Sequence, residues 1–327
     1  MPYDAEIEFA ISKNGTDFYQ EEYVEVGNMM QTDARIIYYD HGKDLRPEEN
    51  WHYAVEMAHG KYVLLVSDED DVLWGALEYY FKLFRDNPEV NLVRASARVN
   101  YGDLTERRYG KKGLDAFHAL FLKQNYLSGL IVRREDFLQE HLMELERFWD
   151  NAFYRNYPHE WWCAILSRKG DCIEDPVMLV DEKDAVLAEE VARGRKEDAS
   201  SSGKDVSEKE FLPGYATYEE RLNQFRGQID FLRWFMKDDK EGLELGLGQA
   251  FFKTSYLLEM ARDYHYHPEQ FEEYVDRFLW MCMEAIDEIP LDEDQKARLL
   301  QCAKHLGMDS LETHKNLTAG NTEKEIK

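Results

Sequence analysis

The chain has 327 residues, of which 40 are basic and 66 are acidic, so its formal net charge is −26. A charge of this sign repels a phosphate backbone and an anionic lipid surface, which excludes nucleic acid as an expected partner. The length favours two structural units over one, because single cores stop growing at roughly 250 to 300 residues.

The sequence predicts a cytoplasmic protein with no transmembrane segment. No apolar run approaches the ~18 residues of a membrane span, and the N-terminal stretch MPYDAEIEF lacks the basic and apolar regions of a signal peptide. Such a protein works in solution or peripherally at the inner face of the membrane. The cysteines have no metal-ligand spacing, so we expect buried thiols in a reducing compartment at Cys163, Cys172, Cys282 and Cys302.

Residues 1–190 are expected to form one α/β domain, because short strand-like runs alternate with helical ones. Pro47 suits the first turn of one helix and Gly60 suits its C-terminal cap. This alternation is typical of a largely parallel sheet. Strands are predicted at 6–12, 35–40, 61–67, 90–96 and 127–134. A first helix is predicted to end near residue 30, and further helices are predicted at 47–59, at 73–86, at 114–124 and from residue 135.

The second half of the chain is predicted to be helical. Residues 191–212 are polar, with a glycine-serine cluster, and indicate a mobile linker. Apolar residues then keep helical spacing through 213–310, and Asp292 with Gln295 forms a capping box before the last helix. Residues 311–327 are predicted to be a flexible tail. The helical domain is a candidate surface for a second copy of the chain or for another protein.

An acidic turn follows the apolar run KYVLLVS at residues 61–67. Crowded carboxylates repel one another unless a positive charge lies between them. Asp68 and Asp70 have the spacing to share a hard divalent cation, with water and ligand phosphates completing an oxygen shell. Two other interpretations stay open on spacing alone, namely a solvated loop and carboxylates that serve the N-terminus of the next helix.

Four short motifs occur in a fixed order in the first part of the chain. They are SKNGT (12–16), Asn50-Trp51 with Ala54 and Ala58, GKY (60–62) and SDED (67–70). In this order they resemble the nucleotide-binding half of family 2 glycosyltransferases of the GT-A fold. The order is more specific than Asp-x-Asp alone, and fainter similarity at YLSGLIVRRED and YPHEWW extends it over about half the chain. The resemblance implies a GT-A-like, Rossmann-type, mostly parallel sheet flanked by helices and followed by the helical region.

The resemblance implies transfer of a sugar from a nucleotide-diphosphate donor to an acceptor hydroxyl, with inversion and with Mn²⁺ or Mg²⁺ held by Asp68 and Asp70. The acceptor would be a glycan or a lipid-linked molecule in surface polysaccharide or glycoconjugate synthesis. A carboxylate must also take the acceptor proton. Glu160 is the predicted base and His159 its competitor, although Glu160 also suits a first-turn helix carboxylate and His159 a local hydrogen-bonding role.

Further residues are predicted to contact the donor or the acceptor. Asn14 also suits an ordinary Asn-Gly turn, and the pair Trp161-Trp162 suits either a sugar-stacking face or the core. Gly129 would permit close approach to the acceptor. The predicted donor residues are Asn14, Lys13, Arg46, Asn50 and Asp68, and the predicted acceptor residues are Ser128, Gly129 and Trp161.

Two departures from the family pattern favour other hypotheses. Lys13 stands where the family has an Asp, and the family's first strand-helix unit is absent, which predicts an exposed sheet edge in the middle of the fold. The alternatives are an upstream start, a fragment, or a non-catalytic sugar-nucleotide-binding or assembly protein. Asp68-x-Asp70 also fits the nucleophile motif of a haloacid-dehalogenase-type phosphatase, but two predicted strands precede it here.

Overall fold

The fold is mixed α/β, with a central sheet flanked by helices and a helical C-terminal region, as the sequence predicts. The computed structural model describes residues 7–15, 20–67, 70–97, 104–123, 126–140, 146–181, 216–263 and 268–322.

The chain divides into two compact units. The first unit comprises residues 1–149 and 157–187, and the second comprises residues 150–156 and 188–327. The predicted linker, 191–212, lies outside the described residues.

Two parallel strands of the first unit, β1 (Phe9–Lys13) and β2 (Ile36–Asp40), form a sheet of their own. Their register places Phe9 opposite Ile36, and α1 (Gln20–Met30) connects them. Helix α2 (Pro47–Met57) follows β2 and packs against β1. Pro47 occupies the first turn of α2, as the sequence predicts.

The other described strands of the first unit form a six-stranded sheet. They are β3 (Tyr62–Leu64), β4 (Asp71–Val72), β5 (Val90–Ala97), β6 (Arg108–Gly110), β7 (Leu130–Arg133) and β8 (Asp171–Asp181). Their order in the sheet is β3-β7-β5-β8-β4, with β6 paired to β8. All eight residues of β5 are buried, so this strand lies at the centre of the core.

Strand directions in this sheet differ from the mostly parallel arrangement that the sequence predicts. Among the described strands, β5 and β8 run parallel, whereas β3 with β7, β5 with β7, β4 with β8 and β6 with β8 run antiparallel. The prediction was wrong because an apolar run that is buried on both faces has the same composition in either direction. Periodicity therefore identified β1, β2, β3, β5 and β7 and left their directions open, whereas β4, β6 and β8 were not predicted.

Strands β1 and β3 belong to different sheets. In the described part of the chain β1 pairs with β2 and β3 pairs with β7, so each has one edge without a paired strand. The carboxylate of Glu8 accepts the Gly60 N–H at 2.7 Å and also the His59 N–H, which ties the start of β1 to the start of β3.

The remaining helices of the first unit pack on the six-stranded sheet and agree closely with the predicted positions. These helices are α3 (Trp74–Asp86), α4 (Leu114–Leu120), α5 (Arg134–Glu140) and α7 (Pro158–Leu166), and a short 3₁₀ turn occupies Glu146–Phe148. Helix α3 begins one residue later than predicted, and α4 ends four residues earlier than predicted.

The second unit contains four long described helices and the short α6 (Ala152–Asn156). The rings of Phe225, Phe251 and Phe278 meet at centroid distances between 5.3 and 6.5 Å in its core. The predicted capping box is present, because the Gln295 N–H donates to Asp292 Oδ1 at 2.8 Å and the Asp292 N–H donates to Gln295 Oε1 at 3.1 Å. The long helices are α8 (Tyr218–Phe235), α9 (Lys240–Asp263), α10 (Phe271–Glu288) and α11 (Glu293–Thr322), and a 3₁₀ turn at Pro268–Gln270 precedes α10.

Residues 311–322, which the sequence assigned to a flexible tail, continue helix α11 as far as Thr322. Ser310 and His314 are buried. The Ser310 hydroxyl contacts Ser255 at 3.1 Å, and the His314 ring lies 5.2 Å from that of Phe271. These polar residues pack against α9 and α10, so a search for apolar periodicity ended the helix too early.

The four thiols are free, three of them are buried and Cys302 is half-buried. Burial raises the pKa of Cys163 to about 11 and that of Cys172 to about 12, which keeps both thiols protonated and unreactive. Among the described helices, none combines the length and the apolarity that crossing a membrane requires.

Candidate functional site

The residues that precede the acidic turn are bonded to the segment that leads into β7. The Leu65 N–H donates to the Leu130 carbonyl at 2.9 Å, and the Gly129 N–H donates to the Leu65 carbonyl at 3.0 Å. The Ser67 N–H then donates to the Ser128 hydroxyl at 2.8 Å. These bonds extend the alignment of the two strands to the point where the turn begins.

Asp70 is the described member of the predicted metal-binding pair, since Asp68 lies outside the described residues. The Tyr126 hydroxyl lies 2.6 Å from both oxygens of Asp70, and the Ser128 hydroxyl donates to Oδ2 at 2.6 Å. A half-buried carboxylate with such outer partners suits a hard cation such as Mn²⁺ or Mg²⁺. The described residues contain no group of three or more His, Cys, Asp or Glu side chains placed to hold a metal.

Ser128 and Gly129, both predicted to contact the acceptor, are buried, and Ser128 bonds Asp70. Ser128 is buried, with its hydroxyl between the Ser67 N–H and the Asp70 carboxylate. Gly129 has φ +95°, and a Cβ there would lie 3.1 Å from the Ala95 carbonyl oxygen. A side chain is disfavoured both by that backbone conformation and by that contact.

Replacing Gly129 by alanine is therefore expected to lower the free energy of unfolding by about 1–3 kcal/mol. The measurement is urea denaturation followed by tryptophan fluorescence. Gly75→Ala is the control, because a Cβ at this exposed helical position meets nothing within 4 Å, and we expect it to stabilise the protein slightly. Equal stability of Gly129→Ala and the parent would contradict the conformational argument.

Glu160, the predicted base, lies in the first turn of α7 and is fully buried. Its Oε1 accepts a hydrogen bond from Arg94 Nη1 at 3.0 Å, and its Oε2 accepts one from the Leu122 N–H at 2.7 Å. Arg94, also buried, donates from Nη2 to the Cys163 sulfur at 3.0 Å. Both carboxylate oxygens therefore have protein partners outside the helix, and Glu160 also occupies the first-turn position that the helix-carboxylate interpretation predicts.

One segment of chain connects Glu160 with Asp70. Leu122 has φ +59°, a strained conformation for a branched residue, and its N–H is the donor to Glu160. Tyr126 and Ser128, a few residues later, are the donors to Asp70. Leu122, with its strained backbone, therefore bonds the predicted base, and Tyr126 and Ser128 bond the predicted metal ligand.

The residues around Glu160 belong to the core. His159 is buried, with Nε2 3.9 Å from Glu160 Oε1. Trp161 is also buried, and its ring lies 4.8 Å from that of Phe148 in an edge-to-face contact. Because Trp161 has no exposed ring face, its predicted contact with an acceptor sugar is corrected to a packing role.

Asn50 lies with two further polar residues at the C-terminal end of β1. The Ser12 hydroxyl donates to Asn50 Oδ1 at 2.7 Å and lies 2.9 Å from His41 Nε2. The ring of His41 lies 4.8 Å from Tyr39 and 4.9 Å from Tyr53, and both tyrosines are exposed. Ligands of open α/β sheets bind at such strand ends, so this polar and aromatic cluster is a candidate ligand-binding position.

The other predicted donor residues have contacts within the protein. Asn14 bonds the backbone of Leu45 at both side-chain atoms, which agrees with the turn interpretation. Lys13 is buried and donates to Asp40 at 2.8 Å, and this bond raises the pKa of Lys13. Arg46 stacks on the Trp149 ring at 3.1 Å.

Sequence reasoning missed Tyr126, Ser12 and Arg94. A charged residue within the apolar strand VNLVRASA was a signal for Arg94, because a buried charge needs a partner. The hydroxyls of Ser12 and Tyr126 had no comparable signal.

No protein-family model matches the sequence, and no curated protein matches it. Among solved structures, the chain is similar to S. aureus TarS 1-349, a wall teichoic acid glycosyltransferase. The identity is 12%, the match covers 79% of this chain and 77% of that chain, and the TM-score is 0.35. A similarity of this size says nothing about the activity of the present chain.

Proposed function

We propose that this protein is a metal-dependent glycosyltransferase that moves a sugar from a nucleotide-diphosphate donor to an acceptor hydroxyl on a glycan or a lipid-linked molecule. The observation that carries the proposal is the position of Asp70. Its carboxylate follows an apolar strand, as in the family that the motifs resemble, and two hydroxyls hold it in one orientation. A bound Mn²⁺ or Mg²⁺ would neutralise charge on the leaving diphosphate.

The residues of the chain would divide the remaining work. Asp70 would supply an oxygen ligand, and Ser12 with Asn50 would bind polar groups of the donor nucleotide. The exposed rings of Tyr39 and Tyr53 would offer faces for the nucleobase. Glu160 in its buried, paired position does not suit the base, since a base must come within about 2.6–3.2 Å of the acceptor hydroxyl and both Glu160 oxygens are bonded within the protein.

The burial of Glu160 and its pairing with Arg94 favour a second candidate, a protein that binds the sugar nucleotide without transferring the sugar. A carboxylate that is fully buried, paired with Arg94 and bonded to the Leu122 N–H has the contacts of a structural residue. In this candidate Asp70 would still bind the cation and the diphosphate. Nucleotide binding is therefore common to both candidates, and turnover separates them.

The test is a thermal-shift screen with UDP, GDP, CDP and TDP, each with and without Mn²⁺. A ligand at 100 times its Kd adds about 2.7 kcal/mol to the stability of the folded state. We expect one nucleotide to raise the Tm only when Mn²⁺ is present. Asp70→Ala should abolish that shift.

Asp171→Ala is the matched control, because Asp171 lies in the same unit and pairs with Lys111 at 2.7 Å. It should retain the metal-dependent shift. The proposal is wrong if no nucleotide gives a shift, or if the shift persists unchanged in Asp70→Ala.

A further inference from the structure

We propose that Tyr126 is a positioning residue that orients Asp70 for a divalent cation, with Oδ1 as the oxygen left for the metal. This inference rests on the proposed function, because it assigns a task at the same site.

The hydrogen bonds of Asp70 are unequal. Oδ2 receives the Ser128 hydroxyl and lies 2.6 Å from the Tyr126 hydroxyl, whereas within the described part of the chain Oδ1 contacts the same Tyr126 hydroxyl, at 2.6 Å, and no other donor. A tyrosine hydroxyl has one proton, so it cannot make full hydrogen bonds to both oxygens at once. An ionised carboxylate has about four lone-pair sites, and the open ones lie mainly on Oδ1.

Both donors are fixed by the surrounding structure. The Tyr126 side chain is partly buried and packs against the hydrophobic core cluster of the six-stranded sheet, a cluster that includes Val93 and Ile131. Ser128 is buried, and the next residue, Gly129, is bonded through its carbonyl to the Ala95 N–H at 3.0 Å. Their hydroxyls therefore do not need to be ordered when a cation arrives, which lowers the cost of binding.

A fixed carboxylate binds a metal more tightly than a mobile one. Removing an outer hydrogen-bond partner of a metal ligand costs about 10–100-fold in affinity. Tyr126 and Ser128 contact Asp70 in this way, so the loss of either hydroxyl should weaken cation binding while the ligand itself remains.

The experiment measures Mn²⁺ alone, by electron paramagnetic resonance of the free and the bound ion, in the full-length chain. Tyr126→Phe is expected to raise the Kd for Mn²⁺ at least tenfold and to change the spectrum of the bound ion. Ser128→Ala is a second variant on the same carboxylate and should also raise the Kd. Urea denaturation without metal measures the stability of each variant, and a general loss of packing would not alter the bound-ion spectrum of the folded fraction.

Tyr79→Phe is the matched control. The Tyr79 hydroxyl donates to the carboxylate of Asp175 at 2.8 Å in the same unit, at a residue that the proposed metal site does not use. We expect its Kd for Mn²⁺ to stay within about twofold of the parent value, because the ligands and their outer partners are unchanged.

The outcomes separate this inference from the proposed function. If Asp70→Ala abolishes Mn²⁺ binding while Tyr126→Phe binds with the parent affinity and spectrum, the role of Tyr126 is overturned and the metal site stands. If the parent binds no Mn²⁺, or Asp70→Ala binds it unchanged, both are overturned.

Discussion

Replacing Arg94 by leucine is expected to lower the free energy of unfolding by about 3–5 kcal/mol. The substitution leaves the Glu160 carboxylate buried with the Leu122 N–H as its remaining hydrogen-bond donor among those observed. A buried charge without its partner retains the full cost of leaving water. The measurement is urea denaturation followed by tryptophan fluorescence, which senses Trp161 and Trp162 close to the pair.

Lys111→Met is the control, because it removes one member of an ion pair at the protein surface. Lys111 pairs with Asp171 at 2.7 Å, but its side chain is 76% exposed. Solvent screens a pair of this kind, so we expect a much smaller change than for Arg94→Leu. Equal losses for the two variants would show that burial does not decide the contribution of the Arg94 pair.

Local features of this fold were predictable because they depend on residues close in the chain. Tyr218, Leu222 and Phe225 keep helical spacing, and all three are buried in α8. Asp292 and Gln295 form their capping box within a single helical turn. Spacing of this kind is visible in a sequence because side chains three and four positions apart share one face of a helix.

The contacts that shape the candidate site join residues far apart in the chain, and no local pattern indicates them. Tyr126 is 56 positions from Asp70, and Arg94 is 66 positions from Glu160. The sequence therefore predicted Asp70 and Glu160 as chemically suitable residues. It did not predict that two hydroxyl groups donate hydrogen bonds to Asp70, or that Arg94 forms a buried ion pair with Glu160. Strand direction was missed for the same reason, since pairing is decided by strands that are distant in sequence.

The role of Glu160 can be separated from its structural contacts by changing both members of the ion pair. In Arg94→Leu with Glu160→Gln neither charge is buried, and the glutamine carbonyl can still accept the Leu122 N–H. Replacing both members of a buried pair by uncharged groups is often neutral. We therefore expect the double variant to recover most of the stability that Arg94→Leu loses, and to keep metal-dependent nucleotide binding.

Turnover of this double variant, measured as release of the nucleoside diphosphate from its sugar donor, tests the predicted base. General-base catalysis contributes about 10²–10⁴-fold, and glutamine cannot take a proton from the acceptor. Because both oxygens of Glu160 are engaged and buried, we expect turnover within about tenfold of the parent value. A fall of 10²-fold or more with nucleotide binding intact would show that the pair opens during catalysis and that Glu160 is the base. A parent protein that binds the nucleotide and releases none from its donor would decide for the non-catalytic binding protein, in which the Arg94–Glu160 pair is purely structural.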